Sequence, residues 1–302
     1  MRANTQSLQR ADQIDCVPDV ATGGAGHAAS PHGWRARLAL GFERRDARSV
    51  LIRREHLGPL RVQKALYPEG DAVSHAILLH PPAGIAGGDS LAIDVSVGEG
   101  AHALLTTPGA GKWYRADGRP AEQRIQLSVA DAGSLEWLPQ ESMVFDGADG
   151  NATLDVQLSG NACFIGFDLW CLGRRARGER FTHGRMDTAI RIARDGRPVF
   201  VEQARLRGDD PRLGSRAVLG GASVFGSLLV AARDIDATLV EACRNESPTA
   251  GLGAVTRLPG LLVARYRGDD AEAARHWFAA LWAIVRPALL NRPACPPRIW
   301  NT

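Results

Sequence analysis

The stretch that decides the fold runs from residue 78 to residue 115 and reads LLHPPAGIAGGDSLAIDVSVGEGAHALLTTPGAGKWYR. Two apolar runs typical of strands, residues 91–97 and 102–107, are flanked by turns rich in glycine and proline. Glycine and proline hold backbone angles that most residues avoid, so such turns fix the direction of the polar side chains they carry. A second distinctive segment, FDLWCLGRRARGE, follows at residues 167–179. We therefore expect short strands joined by rigid turns.

Strand-like segments continue on both sides of this stretch. Polar and apolar residues alternate in them, as expected for half-buried strands. They occupy residues 34–40, 49–54, 58–63, 74–79, 122–129, 133–138, 151–158 and 162–167. Residues 186–193 and 198–206 alternate around Asp195-Gly196, which predicts a hairpin. Short strands at regular intervals favour a mainly β fold over a fold in which strands and helices alternate.

The pattern changes after about residue 220, where helical spacing appears. Residues 234–244 are predicted to form a helix with Asp234 as its N-cap. A longer helix is predicted over residues 270–285, capped by Asp269 or Asp270 and ended by Pro287. Strands are expected around these helices at residues 224–232, 252–257 and 261–267.

Three regions follow from this pattern. Residues 1–32 are polar and rich in small residues, and we expect a disordered tail. Residues 33–220 form a β-rich body, and residues 221–302 form a small α+β portion with two helices that packs on the body as one structural unit.

Composition excludes several classes of protein. The net charge of +3 is too small to argue for nucleic-acid binding. No apolar run approaches the roughly 20 residues that span a bilayer, and residues 1–32 lack the apolar core of a signal peptide. We therefore expect a cytoplasmic protein without membrane contact. The five cysteines are odd in number and form no CxxC pair, which argues against a disulfide framework or a structural zinc site and favours free buried thiols at Cys163 and Cys243.

Two glycine-rich motifs fail the tests for nucleotide binding. PGAGKW at residues 108–113 has Trp113 where a phosphate loop needs a serine or threonine hydroxyl. GIAGGD at residues 84–89 lacks the spacing of a dinucleotide loop and precedes a strand instead of following one. No HExxH helix and no nucleophile elbow are present, so no enzyme class is indicated.

Three acidic residues have unusual settings. Asp89 closes a glycine turn, where it either caps backbone amides or presents a carboxylate at the mouth of a cavity. Asp168 lies between two apolar runs, and Glu202 lies in a similar run. A buried carboxylate must pair, meet water or bind a cation. Arg205 and Arg174 are the candidate ion-pair partners, and a wet polar channel is the alternative.

The motifs taken together resemble the urease accessory protein UreD family, also called UreH. The resemblance rests on LLHPPAGIAGGD, TTPGAGKWYR, LEWLPQE, FDLWCLGRRARGE, FTHG and PRIW, in this order over residues 78–300. It implies an elongated helical stack of strands and a protein that is not an enzyme. Its partners would be apo-urease, UreF and, through UreF, the GTPase UreG.

The resemblance further implies a polar passage for nickel(II) in transit, with no tightly bound cofactor. Asp89, Asp168 and Glu202 match the acidic positions that would line it. Spaced carboxylates attract a divalent cation without trapping it, as a passage requires. Two further hypotheses stay open. One is a purely structural assembly factor that positions or opens apo-urease, and the other is an enzyme, against which the broken phosphate loop argues.

Overall fold

Seventeen strands and two α-helices make up residues 33–301, the part of the chain described in this computed structural model. The prediction of a disordered tail at residues 1–32 lies outside the described residues. The strands are β1 (Arg35–Arg45), β2 (Arg48–Leu57), β3 (Arg61–Val62), β4 (Ser74–Leu79), β5 (Ser90–Val97), β6 (His102–Thr106), β7 (Gly111–Trp113), β8 (Ala121–Val129), β9 (Ser134–Leu138), β10 (Ser142–Val144), β11 (Asp149–Leu158), β12 (Cys163–Leu172), β13 (Arg185–Arg194), β14 (Arg197–Arg207), β15 (Val224–Ala231), β16 (Leu252–Leu258) and β17 (Leu261–Gly268). The helices are α1 (Ala237–Arg244) and α2 (Ala271–Leu290).

The chain winds between two sheets. Sheet A has the strand order β14-β13-β11-β8-β5-β1-β2, and sheet B has the order β16-β17-β15-β12-β9-β6-β4-β3. Strands β4, β6, β9 and β12 lie parallel in sheet B, while the next sheet A strand after each of them, β5, β8, β11 and β13, lies parallel in sheet A. Each coil of chain thus adds one strand to the main path of each sheet, and the short strands β7 and β10 pair beside β12. The prediction of a mainly β, helically stacked fold with two late helices is confirmed.

Two apolar clusters hold three layers together. The inter-sheet cluster lies between sheets A and B and includes Leu38, Leu127, Val156, Phe164 and Trp170 among many others. The helix-side cluster lies between sheet B and the helices, and its members alternate with those of the first cluster along strands β6, β9, β12, β15 and β17. Sheet B is therefore apolar on both faces, which explains why β12 is an almost continuous apolar run.

The predicted hairpin around Asp195-Gly196 is confirmed. Strands β13 and β14 pair antiparallel, with Arg194 opposite Arg197. Asp195 and Gly196 have φ angles of 51° and 77°. Positive φ at both central residues is the requirement of the type I′ turn, whose twist matches that of paired strands.

The C-terminal portion continues sheet B. Strand β15 pairs with β12 on one side and with β17 on the other, so residues after 221 share a sheet with the body. The N-cap of α1 is Asp236, whose side chain accepts a hydrogen bond from the Leu239 amide at 2.7 Å, and the prediction of Asp234 was wrong. The register with Asp236 as cap buries Leu239, Val240 and Cys243 against the helix-side cluster.

Helix α2 is longer than predicted. Asp270 caps its start by accepting hydrogen bonds from the amides of Glu272 and Ala273, as expected. It does not end at Pro287 but continues to Leu290. A proline inside a helix removes one amide hydrogen bond, and its ring crowds the carbonyl four residues earlier, so other contacts must favour the extra turn. Leu289 and Leu290 pack against the helix-side cluster, which favours the extra turn.

The cysteines are free within residues 33–301, where Cys163, Cys171 and Cys243 are buried. Burial raises the pKa of the Cys163 thiol to about 12, so this sulfur stays protonated and unreactive at neutral pH. The expectation of buried thiols at Cys163 and Cys243 is confirmed. In the described part of the chain, no helix combines the length and the apolar character needed to cross a membrane.

Candidate functional site

A cavity of about 350 Å³ lies between the two sheets. Two rows of side chains on the inner face of sheet A form one wall. In the first row, register pairs connect Ile93, Ile125, Leu154 and Ile190, and all four line the cavity. The second row contains Leu91, Gln123, Ala152 and Thr188, again joined by register pairs. The cavity therefore crosses successive coils and follows the axis of the strand stack.

The opposite wall comes from sheet B and from the loop between β6 and β7. Trp137, Asp168 and Trp170 lie on it, and His80 lies where β4 ends. The loop residues 107–112, which include PGAG, also line the cavity. Strands β4 and β12 are three positions apart in sheet B, which separates His80 from Asp168 by roughly 14 Å across the sheet.

Asp168 is the acidic side chain that lines the cavity. Phe164 and Trp170, at even positions of β12, belong to the inter-sheet cluster, so Asp168 shares their face. Both of its carboxylate oxygens lie 2.9 Å from the indole Nε1 of Trp170, which donates to them. Burial raises the pKa of Asp168 to about 6, the Trp170 hydrogen bond acts to lower it, and the charge of Glu202 raises it further. This carboxylate retains its remaining lone pairs for water or a cation.

Asp89 plays the capping role in its turn. Its Oδ1 accepts a hydrogen bond from the Trp34 amide at 2.8 Å, and its Oδ2 accepts one from the Ala86 amide at 2.8 Å. The side chain is buried and is not part of the cavity lining. Asp89 does act on one lining residue, His80. Burial lowers the pKa of the His80 imidazole, and the negative charge of Asp89 partly offsets that effect. His80 thus lines the cavity, and Asp89 acts on it from outside the lining.

Replacing Asp89 by alanine is expected to lower the free energy of unfolding by about 1–3 kcal/mol, because two backbone amides lose the buried carboxylate that accepts their hydrogen bonds. Urea denaturation measures the change. Asp94→Ala is the matched control, because Asp94 lies on the outer face of sheet A in ion pairs with Arg37 and Arg124 and should contribute less than about 1 kcal/mol. Equal effects of the two substitutions would contradict the capping role.

Glu202 lies on the inner face of sheet A, opposite Ile190 in the adjacent strand. Its carboxylate pairs with Arg265 of β17, which belongs to sheet B. Neither of the partners considered from the sequence, Arg205 and Arg174, is its partner, and Arg174 instead pairs with Glu179. The sequence could not reveal the pair with Arg265, because the two residues are 63 positions apart and belong to different sheets.

The charge of Glu202 therefore acts on Asp168, whereas the charge of Asp89 acts on His80. Within residues 33–301, no three His, Cys, Asp or Glu side chains are grouped so that they could hold a metal ion. Sequence reasoning missed the polar wall residues Gln123 and Thr188. Both occupy inward positions of alternating strands, and a polar residue at an inward position was the available signal.

A second polar group lies on the other face of sheet B, beneath α2. Glu136 of β9 is fully buried there and accepts a hydrogen bond from the Trp282 indole at 2.5 Å. Its Oε2 lies 3.0 Å from Nε of Arg286, and its Oε1 lies 2.7 Å from Nε2 of His102. Glu136 therefore ties helix α2 to the strand that carries Trp137 on the cavity wall.

Arg286 joins this group to a second carboxylate. Its Nη2 lies 2.7 Å from Oε1 of Glu69, which also lies 2.7 Å from Nε2 of His75. Burial acts to raise the pKa of Glu69, but the hydrogen bonds from His75 and Arg286 outweigh it and lower the pKa to about 2. The guanidinium thus bridges two carboxylates in an apolar layer. We call these five residues, Glu69, His75, His102, Glu136 and Arg286, the buried charge network.

Comparison with known proteins places the chain in a family. A model of the family described as "UreD urease accessory protein" matches residues 34–301. The chain is 55% identical over 276 residues to the "Urease accessory protein UreD" of Azoarcus sp. (strain BH72), which covers 91% of this chain and 96% of that protein. The chain belongs to the UreD family. A UreD of Dechloromonas aromatica is 54% identical over 273 residues, 89% of this chain and 95% of that protein.

Membership of the UreD family confirms the resemblance found in the motifs. The segments that carried it now have positions in the fold. LLHPPAGIAGGD supplies His80 and Ile85 to the cavity, TTPGAGKWYR supplies the loop at residues 107–112, and FDLWCLGRRARGE supplies Asp168 and Trp170. The distinctive motifs of this UreD chain therefore meet on the walls of one cavity.

Proposed function

We propose that this chain acts in urease maturation as a scaffold without enzymatic activity of its own, and that it passes Ni²⁺ through the inter-sheet cavity. The names of its relatives, urease accessory proteins, support the first part. The cavity that follows the axis of the strand stack supports the second, and it is the observation that carries the proposal.

The lining chemistry suits a cation in transit. His80 and Asp168 present nitrogen and oxygen donors at separate points, and Gln123 and Thr188 add neutral oxygens between them. Single donors of this kind bind a divalent ion loosely, whereas clustered thiolates or imidazoles would hold it. A pathway needs binding strong enough to admit the ion and weak enough to release it.

The partners follow from the family resemblance. In this proposal the chain binds apo-urease and UreF, and UreG docks through UreF and supplies the nickel, in the cytoplasm. Asp168 is then a transient station for the ion, and Asp89 acts through His80 instead of contacting the ion directly. Glu202 is a station only when Arg265 does not occupy it.

The test is reconstitution in a host that lacks urease, with the urease subunits and accessory proteins co-expressed. Asp168→Asn keeps the shape of the side chain and removes its charge, so we expect the nickel content and activity of purified urease to fall several-fold. Co-precipitation with UreF and urease should be unchanged. Asp155→Asn is the control, because Asp155 is a half-buried carboxylate on the outer face of sheet A, paired with Arg191. Full nickel loading by Asp168→Asn would refute the role of this residue.

A second function is favoured by one observation. The Arg265–Glu202 pair joins the two sheets beyond Asp168, which would suit a rigid adaptor that positions apo-urease without conducting nickel. An adaptor of this kind still works when charged cavity residues are replaced by neutral ones, because it acts through the surfaces that bind its partners. This function would be supported if every variant with a substituted cavity residue still activated urease fully.

A further inference from the structure

The line of the cavity continues to an ion pair between the sheets. Ile93, Ile125, Leu154 and Ile190 occupy successive strands of sheet A and line the cavity. The register partner of Ile190 on the next strand is Glu202. Glu202 is therefore the fifth member of this row, one strand beyond the part that lines the cavity.

The same continuation exists on sheet B. Asp168 is the register partner of Ser227 on β15, and Ser227 is the register partner of Arg265 on β17. Leu261 and Val263 of β17 belong to the inter-sheet cluster, so Arg265 shares their inward face. Two strand spacings separate Asp168 from Arg265, a distance of roughly 10 Å between the backbones. From this position Arg265 pairs with Glu202 across the gap between the sheets.

Three charged side chains carry the argument at this end, Asp168, Glu202 and Arg265. Glu202 is close enough to Asp168 for its charge to raise the pKa of the Asp168 carboxyl group. Arg265 is the cation that pairs with Glu202. Two carboxylates and one guanidinium sum to one negative charge, whereas the two carboxylates alone match a divalent cation.

We propose that Arg265 competes with the cation for Glu202: it pairs with this carboxylate, next to the Asp168 end of the cavity, and keeps Asp168 and Glu202 from trapping Ni²⁺ together. The inference rests on the proposed nickel passage and concerns the end of that passage at Asp168 and Glu202. An ion that reaches Asp168 meets a second carboxylate only when it displaces the guanidinium, so binding there stays weak until the pair opens. Arg265 is thus a positioning residue that sets affinity at this end.

The test uses the purified full-length chain and NiCl₂ in a buffer without metal ligands at pH 7.5, above the pKa of about 6 to which burial raises Asp168. Equilibrium dialysis measures Ni²⁺ binding. Arg265→Met removes the guanidinium and keeps the apolar stem, and we expect affinity to rise roughly tenfold because one repelling charge is lost and one carboxylate is freed. Arg265→Met combined with Glu202→Gln should return to the wild-type value.

Arg191→Met is the matched control, because Arg191 also pairs with an aspartate between neighbouring strands, but on the outer face of sheet A. Its affinity should stay within about twofold of wild type, since this change frees a carboxylate on the face of sheet A that points away from Asp168, and a single carboxylate binds a divalent ion poorly. Circular dichroism verifies that each variant is folded. Unchanged affinity in folded Arg265→Met would overturn the inference. This assay contains no urease. Its result is therefore independent of the Asp168→Asn experiment in cells, which tests the proposed nickel passage.

Discussion

Replacement of Arg286 by methionine is expected to lower the free energy of unfolding by about 3–5 kcal/mol, because it leaves two carboxylates buried without their cation. Glu136 is fully buried, and Arg286 lies 3.0 Å from it and 2.7 Å from Glu69. Methionine fills much of the same volume, so the loss measures charge compensation and not a large cavity. Urea denaturation followed by tryptophan fluorescence gives the value.

The control is Arg53→Met, which removes an arginine from an exposed ion pair with Glu55 on strand β2. Exposed pairs contribute between about 0 and 1 kcal/mol. A loss in Arg286→Met no larger than in Arg53→Met would contradict the view that the buried charge network fastens α2 to sheet B.

The same network has a consequence for acid stability. The folded-state pKa of Glu69 is about 2, below its ordinary value of 4.5, so its stabilising contribution is complete above pH 4.5 and is lost as the pH falls toward 2. In Arg286→Met one of the groups that lower this pKa is gone. The part of the acid-induced loss of stability that comes from Glu69 should therefore be smaller in the variant than in the wild type.

The strand pattern was predictable from sequence, but the winding was not. Alternation with period two shows which residues of β5, β8 and β11 share a face, because side chains alternate across any strand. It does not show which strand lies beside which. Parallel neighbours in this fold come from successive coils, so the partner of Ile93 is Ile125 and not a residue of the next strand in the chain. Glycine turns, which end each run, carry no information about that partner.

The buried charge network was missed for a related reason. Glu136 lies in GSLEWL, where alternation assigns it to the face opposite Trp137, and such a face is usually exposed to solvent. Here α2 covers that face. The available signal was in α2, because Arg286 follows Trp282 by four residues and so falls on the apolar stripe of the helix. A charged residue on such a stripe needs a buried partner.

The candidate site was predicted in part. Asp168 was found because a lone carboxylate in an apolar strand needs a partner or water, and the structure gives it the Trp170 indole and the cavity. Asp89 and Glu202 were singled out by their sequence settings and matched the family pattern, but neither signal identifies their contacts. Two amides occupy Asp89, and Arg265 occupies Glu202. Long-range partners of this kind are set by how the coils stack.

Ala152→Phe is expected to abolish urease activation, reducing it at least roughly tenfold toward the level without this chain, if the ion passes through the cavity. Ala152 lies in the middle of the row between Gln123 and Thr188, and its small side chain leaves the space open. A phenyl ring there fills the centre of a cavity of about 350 Å³ without removing any charged group. Urease nickel content and activity in the reconstituted host measure the effect.

The fold should survive this change, because an apolar ring enters an existing space and not a close-packed core. Ala92→Phe is the matched control, since Ala92 pairs with Arg37 and Arg124 on the outer face of sheet A and points away from the cavity. Both variants should co-precipitate with UreF and urease. Full activation by a folded Ala152→Phe chain would exclude the passage and leave the adaptor, because a plugged cavity cannot carry an ion but an adaptor does not need one. Loss of activation in Ala152→Phe alone, with complexes intact, separates transport from assembly in a way that no charge substitution can.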